Sequence, residues 1–170
     1  MGAIRRLTGD YEAAADLAQQ ALVLHQELDD RLGQAHALQS LSRVRYLTGQ
    51  HETAADLARQ AQLPYQELGD RLGEAEVLNS LGNLLGMTIG PAEALPLHRR
   101  ALHLAGQVQS PLEKGRALAG IARCAEGAGD WQDAHAVLTQ AVEIFRSIGA
   151  AEFAAAATHL AALDSEHGFP

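Results

Sequence analysis

The stretch Glu67-Leu-Gly-Asp-Arg-Leu-Gly-Glu-Ala75 nearly copies Glu27-Leu-Asp-Asp-Arg-Leu-Gly-Gln-Ala35, which lies 40 residues earlier. Alanines return at the same interval in two series: Ala14, Ala54, Ala94 and Ala134, and Ala21, Ala61, Ala101 and Ala141. Self-similarity at a period of about 20 to 50 residues is typical of stacked repeats rather than of one globular centre. We therefore expect neighbouring helices to approach one another closely through these small side chains.

Apolar residues between the alanines recur at three- and four-residue spacing, which predicts amphipathic helices. The head of every second predicted helix carries a good N-cap residue in three repeats: Asp30, Asp70 and Ser110. Ser110-Pro111-Leu112-Glu113 has the form of a full capping box, whereas Ala150 takes the N-cap position in the last repeat. The last helix should therefore start without such a cap.

The pattern predicts eight helices, which start near residues 11, 31, 51, 71, 91, 111, 131 and 151. A stub of helix in residues 1–8, closed by Gly9-Asp10, should precede them, since glycine tolerates the left-handed conformation of a helix end. We expect one domain over residues 1–170, with 40-residue repeats to about residue 164 and a tail at 165–170.

Composition restricts the class of protein. The chain has 13 basic and 21 acidic residues, so its net charge of −8 should repel nucleic-acid phosphate. A single cysteine, Cys124, excludes an internal disulfide, and its alignment with the interhelical face predicts a buried structural thiol. No apolar run has the length of a membrane span or a signal-peptide core, which predicts a cytoplasmic protein without membrane contact. Twelve arginines beside one lysine, with abundant alanine, are typical of a GC-rich bacterial genome.

The sequence offers no set of residues for catalysis. Its eight histidines contain no pair three or four residues apart, so no helical zinc motif exists, and no Gly-rich phosphate loop is present. Carboxylate pairs such as Asp29-Asp30 are explained as helix caps and solvated faces. We therefore predict a protein that is not an enzyme and that has no metal site and no cofactor.

The order of small residues resembles the tetratricopeptide (TPR) repeat: Leu81-Gly82, a turn glycine such as Gly49, then Ala54 and Ala61. The resemblance extends along almost the whole chain, with one turn glycine displaced to Gly90. It implies an all-α fold, a right-handed superhelical solenoid of antiparallel helix pairs. HEAT-type repeats of about 40 residues are the rival, but the spacing from glycine to alanine favours TPR.

Within TPR proteins, residues 68–75 and Leu81-Gly82-Asn83 resemble two groups. One is the carboxy-terminal TPR region of actinobacterial transcriptional regulators of the antibiotic-regulatory (SARP) type. The other is the scaffold family of spindle-orientation adaptors, whose grooves bind peptides. The arginine-rich, alanine-rich composition favours the bacterial group, which implies the regulatory region of a larger transcriptional regulator.

The resemblance to TPR grooves also implies a set of inward-facing residues that could hold an extended or helical peptide. They are Gln39, Arg43, Tyr46, Glu76, Asn79, Asn83, Arg116 and Arg123, with His36 and His159 beside them. Asn79 and Asn83 are one helical turn apart and could offer amide donors and acceptors to a peptide backbone. The arginines would favour a carboxylate-bearing partner.

Three functions remain open on the sequence. The first is a non-catalytic module that binds a protein or peptide, and the second is a receptor for a small signalling peptide. The third is a self-assembling scaffold, because an incomplete first repeat would expose Leu17 and Leu24. That truncated N-terminal end could then mediate a homo-oligomer.

Overall fold

A computed structural model describes the backbone of residues 2–169 and the side chains of residues 10–169. In this part of the chain the secondary structure consists of eight α-helices: α1 Gly2–Glu27, α2 Arg31–Leu47, α3 His51–Leu68, α4 Arg71–Thr88, α5 Pro91–Gln107, α6 Pro111–Gly127, α7 Trp131–Ile148 and α8 Phe153–His167. Connections of two to four residues join them, and loops this short turn each helix back beside the previous one. The predicted class, an all-α solenoid of antiparallel helix pairs, is confirmed.

The amino-terminal helix corrects one prediction. We expected a helix end at Gly9-Asp10, but α1 continues unbroken from Gly2 to Glu27. A glycine inside a helix costs only about 1 kcal/mol relative to alanine, so it ends a helix only where a turn competes. At the other end, α8 continues to His167, past the predicted repeat limit near residue 164.

The chain separates into two compact units. Unit 1 is Met1–Val77 and unit 2 is Leu78–Pro170, so the boundary falls within α4. The organisation of residues 1–170 as one domain stays a prediction.

The predicted N-caps start their helices. Asp30 Oδ1 accepts a hydrogen bond from the Gly33 amide at 2.9 Å, and Asp70 Oδ1 accepts one from the Gly73 amide at 3.0 Å. Helix α8 begins at Phe153 without a side-chain cap, in agreement with the alanine at position 150.

The capping box predicted at Ser110 forms only in half. Ser110 Oγ accepts from the Glu113 amide at 3.4 Å, but the Ser110 amide donates to the Ala105 carbonyl instead of to Glu113. The Glu113 side chain is directed into the protein, where it is 2% exposed.

Helix ends recur every 20 residues through one backbone conformation. Gly49, Gly69, Gly129 and Gly149 have φ angles between 63° and 80°, the left-handed region that glycine enters without steric cost. Asp29 and Gln109 take the same role at φ 53° despite their side chains. The displaced glycine does change its turn: Gly90 has φ 146° and ψ 175°.

The repeated alanines form the contacts between helices, as predicted. In α3, α5 and α7 all of them are at most 1% exposed, and in α1 the equivalents Ala14 and Ala21 are partly exposed. Two large buried rings, those of Phe145 and Tyr65, each pack against a glycine of a neighbouring helix. A Cβ atom at Gly115 would lie 2.6 Å from the Phe145 ring, and one at Gly73 would overlap the Tyr65 ring.

Candidate functional site

The predicted groove residues of unit 1 lie on α2 and on the first turns of α4. Gln39 Nε2 donates to Glu76 Oε2 at 3.2 Å, and Gln39 Oε1 accepts from the Tyr65 hydroxyl at 2.7 Å. His36 Nδ1 lies 2.9 Å from the same hydroxyl. Burial raises the pKa of Tyr65 to about 12, with a further contribution from the negative charges of Glu76 and Asp70. Gln39 and Glu76 therefore help to hold the helices together.

Arg43 and Tyr46 are the remaining predicted groove residues of unit 1. Both are exposed on α2, and the Tyr46 ring lies 5.6 Å from the His51 ring. A role for Gln39, Arg43, Tyr46 and Glu76 in binding a ligand stays a prediction.

In unit 2, the prediction that Asn79 and Asn83 offer their amides to a peptide fails for Asn79. It is 3% exposed, and its Nδ2 donates to Glu113 Oε2 at 2.9 Å and to the Glu113 carbonyl at 3.1 Å. Its Oδ1 lies 3.3 Å from His98 Nδ1. A buried amide must find partners of this kind, and the buried His98 and Glu113 need them equally. Asn79 is thus a core residue, and only Asn83 of the two amides is exposed.

The buried histidine beside Asn79 is held between two glycines. A Cβ atom at Gly82 would lie 2.7 Å from the His98 ring, and one at Gly120 would overlap the ring. Burial lowers the pKa of His98 to about 4, and the positive charge of Arg123 lowers it further. His98 is therefore neutral at pH 7. Because the amide oxygen of Asn79 can only accept, a hydrogen bond between the two requires the tautomer of His98 with the proton on Nδ1.

Three predicted residues of unit 2 converge on one open cleft of about 360 Å³. Asn83, Arg116 and Arg123 line it, together with Glu152 and His159. Its floor is apolar and consists of Ala119, Leu138, Phe145, Ala155 and Ala156. An apolar floor with a few polar groups at the rim is the usual composition of a ligand site.

Two carboxylates hold the Arg116 side chain at the rim. Its Nη1 donates to Glu113 Oε1 at 2.6 Å, and its Nε and Nη2 donate to Glu152 Oε1 at 2.8 and 2.5 Å. Burial acts to lower the pKa of Arg116, but the hydrogen bond to Glu152 and the charges of both glutamates raise it overall. Burial conversely acts to raise the pKa of Glu152, but its hydrogen bond to Arg116, a backbone hydrogen bond and the charge of Arg116 together lower it.

The two glutamates on Arg116 differ in accessibility. The Glu113 side chain is 2% exposed and is fixed by Asn79, whereas the Glu152 side chain is 34% exposed. The cleft is therefore not simply basic, and a carboxylate from a ligand could replace Glu152 but not Glu113.

The other polar rim residues each have a polar partner. Arg123 Nη2 donates to Asn83 Oδ1 at 2.6 Å, and His159 Nε2 lies 2.9 Å from Glu126 Oε2.

Cys124, beside Arg123 in the chain, is buried, and its burial raises the pKa of the thiol. The prediction of a buried cysteine is confirmed.

Sequence reasoning missed His98, Glu113 and Glu152. The repeat register carried the signal for two of them, because His98 stands where other repeats have Ala58 and Leu138, and Glu113 stands where they have Gly33 and Gly73. A large polar residue at a position that is small or apolar elsewhere indicates a buried polar network.

Neither a cluster of metal ligands nor a membrane-spanning helix occurs among the described residues. Within them, no three His, Cys, Asp or Glu side chains come together in a way that could hold a metal ion. No helix among them has both the length and the apolar character to cross a membrane.

Comparison with known proteins supports the fold. Residues 1–62 match the family model described as tetratricopeptide repeat. No curated protein matches the sequence. Over residues 1–62 the sequence match and the helical fold agree with the resemblance to TPR repeats.

Solved structures share the fold at low sequence identity. A Rap protein complexed with Competence and Sporulation Factor superposes with a TM-score of 0.82 at 19% identity, over 98% of this chain and 47% of that one. BtubC (BKLC) from P. vanneervenii gives 0.75 at 18%, over 92% and 66%. A putative kinesin light chain from Podosopora anserina, with nearly identical TPR-like repeats, gives 0.71 at 18%, over 96% and 83%. The chain thus spans less than two thirds of the first two proteins.

Proposed function

We propose that the chain is a non-catalytic module that binds a peptide or a segment of a protein, and that the cleft of unit 2 is its ligand site. One observation carries the proposal: Arg116 lies over an apolar floor with one carboxylate partner buried and the other exposed. Glu152 occupies the place that a ligand carboxylate would take. The ligand is therefore a segment with a carboxylate next to an apolar side chain, which the floor would bury.

We place this module in the regulatory region of a larger, cytoplasmic bacterial transcriptional regulator. The composition, and the resemblance of residues 68–83 to the repeats of SARP-type regulators, support this context. The likeness to the longer Rap protein is compatible with a module of a larger chain. The proposal includes no direct contact with nucleic acid, since the net charge is −8.

A receptor for a small signalling peptide is the second candidate. The fold likeness to the Rap protein solved with Competence and Sporulation Factor favours it. Calorimetric titration with size-fractionated cell extract separates the two candidates. Heat from a low-mass, heat-stable fraction supports the receptor, and heat only from a protein fraction supports the interaction module.

A peptide array tests the ligand site. The probe is a library of random nonapeptides. Each peptide that contains Asp or Glu is paired with a second peptide in which that residue is replaced by Asn or Gln, so that the pair differs only in the carboxylate. We expect the carboxylate member of bound pairs to bind better, and Arg116→Gln to weaken those peptides about tenfold or more, because a charged hydrogen bond is worth about 1.5–3 kcal/mol. Glu152→Gln should strengthen them, since it removes the competing carboxylate.

Arg99→Gln is the matched control, because Arg99 is an exposed arginine of α5 outside the cleft, and this variant should bind like the unmodified chain. The proposal is wrong if no peptide binds better than its scrambled version, or if Glu152→Gln weakens binding as much as Arg116→Gln does.

A further inference from the structure

Large apolar side chains face solvent where α4 ends and α7 begins, both in unit 2. Met87 is 61%, Ile89 63% and Trp131 40% exposed, and we define these three residues as the apolar edge. Ile89 stands where two other turns have Gly49 and Gly129, yet it does not take their left-handed conformation. Neither burial in the core nor turn geometry therefore accounts for an isoleucine at this position.

The turns that carry the apolar edge contact one another. A Cβ atom at Gly127, where α6 ends, would lie 3.1 Å from the ring of Pro91 at the start of α5, so the turn after α4 adjoins the turn after α6. The Trp131 ring stacks on His167 at the end of α8, with 4.1 Å between the ring centroids. The ends of α4, α6 and α8 thus form one side of unit 2.

The apolar edge lies at turns inside the chain and not on the face of its first or last helix. Ile89 and Trp131 each have helices before and after them in the sequence and are exposed nonetheless. Stacked repeats pack through the faces of their helices, so a further repeat would add a turn to this side without covering the apolar edge.

The charge around the apolar edge has a single sign. Residues 85–93, 126–135 and 163–169 contain no lysine or arginine, although the whole chain has 13 basic residues for 21 acidic ones. The same three stretches contain carboxylates at Glu93, Glu126, Asp130, Asp133, Asp164 and Glu166. Two of these pair with histidines, and Glu93, Asp130, Asp133 and Glu166 are exposed. An apolar centre with an acidic rim repels nucleic acid and anionic lipid, and it complements a cationic protein segment.

We propose that the apolar edge is a docking surface for a basic amphipathic helix of a partner protein. Tryptophan and methionine are enriched in the buried centres of interfaces, and lysines or arginines flanking the apolar face of the partner would meet the carboxylates. The described part of the chain has no strand to extend, so a bound segment must satisfy its own backbone hydrogen bonds, as a helix does. The apolar edge shares no residue with the cleft.

The fluorescence of Trp131 tests the proposal, because it is the only tryptophan of the chain. The probe is a labelled peptide of about 18 residues, or five helical turns, made of leucine and lysine with the leucines at spacings of three and four. We expect the peptide to shift the Trp131 emission to shorter wavelength, and to bind more weakly as salt is raised from about 0.1 M to about 0.5 M. Anisotropy of the label should show at least about tenfold weaker binding to the double variant Met87→Ser, Ile89→Ser.

Two control peptides separate charge from apolar contact. One has glutamine in place of every lysine, and the other is a scrambled sequence without an apolar face; each should bind at least about tenfold more weakly than the probe. Leu63→Ser is the matched control variant, since Leu63 is 59% exposed on α3 away from the apolar edge, and it should bind the probe like the unmodified chain. Arg116→Gln should do so too, because Arg116 belongs to the cleft.

Four results overturn the proposal. They are absence of binding, equal binding of either control peptide, equal binding by the double variant, and self-association of the chain that the double variant abolishes. The last result would make a second copy the occupant of the apolar edge. Carboxylate binding by the cleft is independent of all four.

Discussion

Substituting Gly120 by alanine should destabilise unit 2, and removing the His98 ring should reverse the sign of that effect. A Cβ atom at position 120 would overlap the ring. The ring has little room to move away, because on its other side it lies so close to Gly82 of α4 that a Cβ atom there would be 2.7 Å from it. Overpacking of this kind costs about 3 kcal/mol, and the gain in helix propensity from glycine to alanine returns about 1 kcal/mol. Gly120→Ala should therefore lower the free energy of unfolding by about 2 kcal/mol.

In the His98→Ala background the overlap is absent, so Gly120→Ala should instead stabilise by about 1 kcal/mol. The coupling energy between the two positions is then about 3 kcal/mol, far above the additivity error of about 0.5 kcal/mol. His98→Ala will itself be destabilising, since it leaves a cavity and removes the partner of Asn79 Oδ1. This cost cancels, because the effect of Gly120→Ala is measured separately with the His98 ring present and with it absent, and the two effects are then compared.

Urea unfolding followed by circular dichroism at the helix band measures all four proteins. Gly106→Ala is the control, because a Cβ atom there meets nothing within 4 Å, and its effect should be the same in both backgrounds. An equal cost of Gly120→Ala with and without the His98 ring would refute the steric reasoning.

Three further predictions follow from the backbone and the buried groups. The pKa of His98 is about 4 in the folded state against an ordinary 6.5, so protonation of His98 destabilises the folded chain. The free energy of unfolding should therefore be highest above pH 6.5 and should fall by about 3 kcal/mol as the pH is lowered to 4. Urea titrations should show a smaller loss over this pH range in His98→Gln. Gln109→Gly should raise the free energy of unfolding by about 1 kcal/mol, since Gln109 has φ 53°, whereas Gly149→Ala at φ 63° should lower it by a similar amount in the same assay. The Cys124 thiol should react with a thiol reagent only slowly at pH 8 and rapidly in denaturant, and fast reaction of the folded chain would contradict its burial and raised pKa.

Most of the fold was predictable, because the local signals recur in the sequence. Each of the seven helices after α1 starts within two residues of its predicted position, and Asp30, Asp70 and Ser110 cap their helices through the side-chain oxygens that the sequence indicates. Gly9 was misleading because a single glycine is compatible with both a helix end and a helix interior.

The candidate site was predictable only in part. The register correctly brought Asn83, Arg116 and Arg123 to one cleft, because residues 40 apart occupy equivalent places in stacked repeats. It could not show that Asn79 is buried while Asn83 is exposed, since residues one helical turn apart lie on the same face of the helix and the spacing does not say which of them the neighbouring helices cover. That choice depends on His98, which is on a different helix.

The sequence alone determined the repeat, the helices and the buried alanines, since each depends on spacing along the chain and on the conformational preferences of single residues. The tertiary structure alone decided which charges from different parts of the chain meet. Glu113 reaches Arg116 through the three-residue spacing on α6, but Glu152 is 36 residues away, and only packing of α6 against its neighbours places that second carboxylate on the same guanidinium. Electrostatic partners are selected by distance in space, and distance in space is a property of the packed helices rather than of the order of residues.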